Sequence, residues 1–573
     1  MVNARVLGAL ALTMLVFAGA SRFSRSSEPS VVFLHQGWSD AERQNFYYLP
    51  QGTVMLPASW LAALRSPDGT PFTSDAHMRS LGFIVDHDKT PSNPYGWPIG
   101  FAITTSSQTQ GIPMMGFTCA ACHTSQLTYR GTVMRVEGGQ ANVDLDRFKR
   151  DLTGALLATG ASDTARTAFE ARAVSFGFPQ KAIDAQFRAK YAAVIAGAPE
   201  RRRIAATATA AGPGRNDALS VIAEVLFNYG IGVPTNTNRA TAPVDFPYLW
   251  NITNLDWVQY NASVHQPMAR NIGEAIGVGA ITHFVNPTTS AMSPVPERWR
   301  TSILLRNLHV IEDQLDHLQP PVWPQDVLGR IDATKATRGR ALFSQRCAGC
   351  HAVYALAGSA NDEWAVRTIK LDRIGTDPNQ AENFKSDTYD GTKFGLSKHE
   401  RAGPGLQVVT SAIRTQGYID EGIPRSEWSA YDGFGRSNVL SEPCGYKPRP
   451  LVGVWATPAF LHNGSVPTVY DLLSDSRPAR FRVGSTEYDP VHLGFRQPPP
   501  GSGFLFDASL NGNSNAGHWF TDDGPRKGRI GPRLTEAQKY DIIEYLKMAS
   551  YANYPRVVVH QHFSQPCVAE NKL

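Results

Sequence analysis

The two Cys-x-x-Cys-His pentapeptides of this chain constrain its fold more than any other feature. They are Cys119-Ala-Ala-Cys122-His123 and Cys347-Ala-Gly-Cys350-His351, and they use four of the six cysteines. In this spacing each thiol adds to a vinyl group of haem, and the adjacent histidine becomes the proximal iron ligand. A redox dithiol needs no following histidine, and a zinc site needs four clustered ligands. The sequence therefore predicts two covalently bound haem c groups.

The N-terminus has the pattern of a secretory signal. Arg5 precedes an uncharged stretch from Val6 to Ala20, which ends in small residues suited to a signal peptidase. A signal peptide is therefore predicted over residues 1–25. The stretch is shorter than the roughly 20 residues of a membrane span, so an uncleaved anchor is the weaker alternative, and no stable membrane span is expected. Haem c is attached outside the cytoplasm, so we expect a periplasmic or secreted protein.

Composition indicates a soluble globular protein with long ordered loops, because 39 prolines and 49 glycines accompany only 18% charged residues. The net charge of +5 is small and dispersed, so no nucleic-acid partner is expected. The one dense basic run, Arg201–Arg203, lies in the Ala/Gly/Pro-rich stretch Gly197–Gly214. This stretch is predicted to be a solvated loop.

The predicted fold class is mainly α, with two cytochrome c-like haem domains, long ordered loops and little β structure. The first domain is placed at residues 35–318 and the second at residues 331–573, with the Pro-rich segment 319–324 between them. The second domain has helix formers over Asp332–Gln345, and a capping box at Thr535 opens a terminal helix. We expect these two helices to cross beside the second haem. In the first domain, helical stretches are predicted near Val143–Thr159, Ala165–Ala196 and Asp217–Tyr229.

The remaining cysteines, Cys444 and Cys567, form an even pair in an oxidising compartment. A disulfide that ties the C-terminal tail to the second domain is predicted, and two buried free thiols are the alternative.

The sixth iron ligands decide what each haem can do, because a haem with two strong ligands transfers electrons and one with an open position can bind oxygen or peroxide. For the second haem, His518 lies one loop before the terminal helix and is the predicted distal ligand, with a loop-bracing role as the alternative. His462 is expected to brace a loop or contact a propionate.

No histidine or methionine is so well placed for the first haem. The segment from Trp250 to Glu274 also contains Trp257 and His265, and these four residues are candidates for the surroundings of an open iron. The alternative is that the tryptophans are ordinary core residues.

The chain resembles the bacterial dihaem cytochrome c peroxidase and MauG superfamily, and within it the dihaem c-type rubber oxygenases, which cleave poly(cis-1,4-isoprene) with dioxygen. The resemblance rests on five stretches, namely Phe117–His123, Asp256–Asn261, Arg270–Glu274, Arg449–Pro467 and Gly512–His518. It implies that the first haem is catalytic, with His123 as proximal ligand and a vacant distal site. It also implies that the second haem is ligated by His351 and His518.

Three functions stay open. The first is a dioxygenase that acts on dioxygen and an apolar isoprenoid polymer. The second is a peroxidase or MauG-like oxidase that uses hydrogen peroxide and a redox-protein electron donor, for which Glu274 or His265 could move the proton. The third is a non-enzymatic electron carrier. A structural Ca²⁺ between the domains is a further candidate cofactor.

Overall fold

The computed structural model of the protein describes residues 31–238 and 240–567, so the predicted signal peptide lies outside the described residues. Helices account for 38% and strands for 15%. None of the helices in the described part of the chain combines the length and apolar character needed to cross a membrane. The α-helices that precede residue 330 are α1 (Asp40–Tyr48), α2 (Ala58–Ala63), α3 (Asp75–Ser80), α4 (Ala120–His123), α5 (Leu145–Gly160), α6 (Asp163–Ser175), α7 (Gln180–Ala196), α8 (Ala198–Ala205), α9 (Ala218–Glu224), α10 (Pro267–Gly277), α11 (Leu305–His317) and α12 (Gln325–Leu328).

The remaining α-helices are α13 (Ala333–Arg346), α14 (Ala348–His351), α15 (Leu371–Ile374), α16 (Asn379–Ser386), α17 (Ala402–Asp420), α18 (Trp428–Tyr431), α19 (Val469–Leu472) and α20 (Glu536–Met548). A π-helical segment, Val225–Gly230, continues α9. Short 3₁₀ turns lie at Glu297–Trp299, Thr392–Phe394, Arg425–Glu427 and Val454–Ala456.

The strands are short and pair in sheets of two or three. They are β1 (Val31–Phe33), β2 (Leu56–Pro57), β3 (Phe101–Thr104), β4 (Met114–Phe117), β5 (Thr124–Tyr129), β6 (Thr132–Glu137), β7 (Arg215–Asn216), β8 (Val244–Asp245), β9 (Val353–Leu356), β10 (Ile369–Lys370), β11 (Thr388–Tyr389), β12 (Glu400–Arg401), β13 (Gly445–Tyr446), β14 (Arg480–Val483), β15 (Tyr488–Asp489), β16 (Gly494–Phe495), β17 (Phe504–Asp507), β18 (Trp519–Phe520), β19 (Arg529–Gly531) and β20 (Arg556–Val559). The sheets β1-β6-β5 and β2-β4-β3 have three strands each. Helix therefore exceeds strand as predicted, although strands occur along the whole described chain.

The predicted helix pair of the C-terminal region is confirmed. Asp332 caps α13, and Thr535 with Gln538 forms the capping box of α20. The ring of Phe343 lies 5.1 Å from that of Tyr545, so the two helices pack directly on each other. A Cβ atom at Gly339 would lie 1.8 Å from the carbonyl oxygen of Asp541, so the crossing requires glycine at this position.

The predicted helical stretch Ala165–Ala196 is confirmed as two helices, α6 and α7, because Gly177 adopts a φ of +93° and Pro179 starts a new helix after it. One prediction for this region was wrong. The predicted loop Gly197–Gly214 contains the helix α8, which carries the basic run on an exposed surface. A proline in its first turn and the Glu200–Arg203 ion pair favour that helix.

The largest apolar core combines residues from both predicted domain ranges, from Leu34 to Tyr554, and includes Trp250, Trp455 and Tyr545. A second core lies around α2 and α5–α7, and a third lies between α9, α10, α11 and α17. The division into two haem domains stays a prediction, and the shared core joins the two ranges closely.

The disulfide between Cys444 and Cys567 is confirmed, with a Cα–Cα distance of 5.6 Å. It connects the C-terminal tail to the segment around β13, whose next residues line the site described below.

Replacing both cysteines with serine is expected to lower the free energy of unfolding by about 2–5 kcal/mol, because the bond closes a long loop in the unfolded chain. The sequence separation of 123 residues places the effect toward the upper end of that range. Guanidinium unfolding of the wild-type and double-serine proteins, each with and without reductant, measures it. Equal stabilities of the two oxidised proteins would contradict the prediction.

Candidate functional site

Each haem-attachment motif forms a single helical turn, α4 or α14. The backbone N–H of His123 donates to the carbonyl of Cys119 at 2.9 Å, and that of His351 donates to the carbonyl of Cys347 at the same distance. The turn therefore repeats the same local geometry at both motifs, and each motif lines its own large cavity. Burial raises the pKa of the Cys119 thiol to about 12.

The first cavity encloses about 1370 Å³ of non-protein space, its mouth included, and Cys119, Cys122 and His123 form part of its wall. Burial lowers the pKa of His123 to about 4, which keeps its imidazole neutral and able to bind a metal. The residues present therefore fit a covalently bound haem.

No second histidine and no methionine lines the first cavity within the described part of the chain. Its apolar wall includes Leu145, Val221, Ile222, Leu249 and Val278. The first cavity therefore offers one imidazole and a wall that is largely apolar.

A polar cluster closes one side of the first cavity. Arg270 forms a buried ion pair with Glu312, whose carboxylate also accepts a hydrogen bond from the Asn271 side chain at 2.9 Å. The carboxyl group of Glu274, one turn further along α10, accepts a bond from the Gln259 amide at 3.3 Å. Burial raises the pKa of Glu274, and the charge of Arg270 opposes that shift. A protonatable carboxyl group is thus available at this cavity.

The second cavity encloses about 1500 Å³ and is lined by Cys347, Cys350, His351 and His518. Nδ1 of His351 lies 2.8 Å from the carbonyl oxygen of Arg449. A donor bond from Nδ1 leaves Nε2 as the free nitrogen, which is the usual arrangement of a metal-binding histidine.

The ring centres of His351 and His518 lie 6.3 Å apart, and the ring planes are inclined at 68° to each other. An iron bound to both Nε2 atoms at about 2 Å would place the ring centres roughly 6 Å apart. Burial lowers the pKa of His518 to about 3, so this ring is also neutral. The geometry therefore fits one iron between two imidazoles.

The loop that carries His518 is held by tight backbone contacts. Gly517 has a φ of +78°, and a Cβ atom there would lie 2.3 Å from the carbonyl carbon of Gly375. The guanidinium of Arg477 donates to the carbonyls of Asn515, Gly517 and His518 at 2.6–2.9 Å. The glycine-rich approach thus serves packing against the chain around Gly375, and the backbone at His518 is held in place.

Among the four residues proposed for the first iron, only Glu274 lines the first cavity. Trp250 is fully buried, donates its indole N–H to the carbonyl of Val452 and stacks on Tyr248 at 4.5 Å. The rings of Trp257 and His265 lie 5.0 Å apart, and Nδ1 of His265 lies 3.1 Å from the Ser437 carbonyl oxygen. These three side chains brace the wall around the site and do not belong to the lining.

Five residues line both cavities and were not singled out by the sequence, namely Asp245, Phe246, Tyr260, Lys447 and Arg449. The sequence does not indicate that these residues come together, because three of them precede the second haem motif and two follow it. We call this set the shared wall. Its position between the cavities makes it common to both haem sites.

His462 lines the second cavity, where its ring stacks on Tyr446 at 4.0 Å. Nowhere in residues 31–238 and 240–567 do three or more His, Cys, Asp or Glu side chains form a group that could hold a metal ion. A structural Ca²⁺ stays a prediction.

Comparison with known proteins agrees with this site. The family model described as RoxA-like, cytochrome c-like matches residues 445–482, which include Lys447, Arg449 and His462. The chain is 35% identical over 575 residues to the uncharacterized protein y4iJ of Sinorhizobium fredii, across 90% of this chain and 93% of that protein. It is 30% identical over 325 residues to the uncharacterized protein y4iM of the same organism, across 53% of this chain and 64% of that protein. The chain therefore belongs to the same family as y4iJ, its residues 445–482 relate it to the RoxA-like cytochromes, and it is a c-type cytochrome with covalently bound haem.

Proposed function

We propose that the protein is an extracytoplasmic dihaem oxidoreductase in which the haem attached to Cys119 and Cys122 is catalytic and the other haem transfers electrons. The observation that carries this proposal is the asymmetry of the two cavities. One cavity has two imidazoles whose ring centres lie 6.3 Å apart, and the other has a single imidazole in a largely apolar lining.

Haem supplies the redox chemistry. A haem whose iron has strong ligands on both faces would transfer electrons, and a haem with one open face would activate oxygen or peroxide. The chain supplies ligation and access. His123, His351 and His518 are the proposed iron ligands, and the four motif cysteines are the attachment points. The Arg449 carbonyl orients His351, while Arg477 holds the loop of His518.

The proposed reaction is the dioxygen-dependent cleavage of double bonds in an apolar isoprenoid polymer. Such a substrate needs a pocket that excludes water, and the apolar side chains of the first cavity, including Val221, Ile222 and Val278, suit it. The resemblance to rubber oxygenases supports the same reaction. The confirmed disulfide agrees with an oxidising, extracytoplasmic compartment.

A peroxidase is the second candidate, and Glu274 is the observation that favours it. Heterolysis of hydrogen peroxide needs a group that moves a proton between the two oxygens. The carboxyl group of Glu274 lines the first cavity, and its raised pKa keeps more of it protonated.

Spectroscopy of the purified full-length protein tests the ligation. Two haems per chain are expected, with one low-spin centre that does not react with carbon monoxide and one centre that binds it. Aldehydes formed from polyisoprene under oxygen support the oxygenase, and rapid peroxide turnover with a cytochrome donor supports the peroxidase. Two low-spin haems inert to carbon monoxide, oxygen and peroxide would reject both and leave an electron carrier.

A further inference from the structure

Two cations of the shared wall, Lys447 and Arg449, are buried without a carboxylate partner. Each is 8% exposed, and neither forms an ion pair with any residue of the described chain. Nζ of Lys447 donates to the carbonyl of Gln259 at 2.5 Å. The guanidinium of Arg449 donates to the carbonyls of Tyr248 and Trp250, and its Nε has no partner.

The nearby acids are already engaged. Burial raises the pKa of Asp245, the acidic member of the shared wall, and the nearby charge of Arg215 opposes that shift. The carboxylate of Asp256 accepts bonds from the Val366 N–H and lies 2.7 Å from Nδ1 of His562. Burial and the charge of Arg449 lower the pKa of Lys447, so its cationic form needs an anion to stabilise it. Buried basic groups that bond only to neutral carbonyls normally pair with anions.

We propose that Lys447 and Arg449 bind the propionate carboxylates of both haems, so that one pair of cations joins the two redox centres. The proposal rests on the two-haem assignment above. Propionates are the only charged groups on the rim of a haem, and both cavities that would hold haem open onto these two side chains. Charge-assisted hydrogen bonds from lysine and arginine suit carboxylates in such a dry setting.

Arg449 connects the two sites in a second way. Its guanidinium lies over the ring of Tyr248 at 3.7 Å, while its own carbonyl oxygen lies 2.8 Å from Nδ1 of His351. A change in the charge of a propionate bound by the Arg449 side chain could therefore affect His351, the proximal ligand of the second haem, through Arg449 alone. Arg449 and Lys447 are positioning residues for the haems, and neither needs to touch the substrate.

Loss of a buried positive charge between two haems makes reduction of both irons less favourable, because the propionate charge is no longer compensated. Lys447→Met is expected to lower both midpoint potentials, with each reduction equilibrium shifted by about tenfold, which is about 59 mV for one electron. Lys447→Arg is expected to restore both potentials. Arg346→Met is the matched control, because Arg346 lines the second cavity alone and should shift only the second haem.

Potentiometric titration followed by visible spectroscopy measures both midpoint potentials and tests the proposal. Haem content is measured on the same full-length samples. A shift confined to one haem, or no shift at all with two haems retained, would overturn the proposal. A change of spin state at the first haem in Lys447→Met would also overturn it, because Lys447 would then be an iron ligand. One haem per chain in the wild-type protein would instead reject the proposed function, and the shared role of these cations with it.

Discussion

Replacing His518 with alanine is expected to convert one of the two haems from low spin to high spin and to make it reactive toward carbon monoxide. The reason is that His518 faces His351 at a spacing that accommodates one iron, and alanine has no donor atom. Carbon monoxide binding should rise from one to two per chain. Paramagnetic resonance and visible spectra of the full-length protein measure both changes.

His492→Ala is the matched control for this substitution. His492 is bound to Asp489 at 2.8 Å and lines neither haem cavity, so its loss should leave both haem spectra unchanged. His462→Ala provides the sharper comparison, because His462 lines the second cavity and is also buried. If His462→Ala produced the high-spin haem and His518→Ala did not, the assignment of the sixth ligand would be incorrect.

Replacing Glu274 with glutamine is expected to reduce peroxide turnover by about 10²–10⁴-fold if the protein is a peroxidase, because the amide cannot exchange a proton with the substrate. Dioxygen-dependent cleavage of polyisoprene should fall much less, since the proposed pocket for that reaction relies on apolar side chains. The two rates are measured on the same preparation, with haem content and carbon monoxide binding as checks that the site is intact.

Glu224→Gln is the control for the loss of a buried carboxyl group. Burial raises the pKa of Glu224 to about 7, yet this residue does not line the first cavity. Both reactions should therefore survive its replacement. Equal losses of peroxide and oxygen reactions in Glu274→Gln would show that Glu274 supports the shape of the site and does not act as the proton donor of a peroxidase.

Short-range sequence patterns explain why several helices and the disulfide could be predicted from the sequence. The helices α13 and α20 begin at capping residues, Asp332 and Thr535, whose hydrogen bonds reach only three residues along the chain. The pairing of Cys444 with Cys567 followed from compartment and number, because no other cysteines were left once the two motifs were assigned.

The residues that surround each haem site could not be predicted from short-range sequence patterns. Trp250 and His265 stand in a suggestive stretch, but their partners are Val452 and Ser437, about two hundred residues away, which decide that they brace the wall. The neutral partners of Lys447 and Arg449 also come from another part of the chain, between Tyr248 and Gln259.

The amino-acid sequence alone determined that this chain carries haem c, because the attachment chemistry needs only five consecutive residues. It also determined where the helices beside the second motif begin, since capping is local. Only the tertiary structure decided which cavity has two imidazoles and which has one, and that Lys447 and Arg449 lie between them. These properties depend on contacts between distant segments, where the burial of a side chain and the presence of a partner charge are settled by packing rather than by neighbours in sequence.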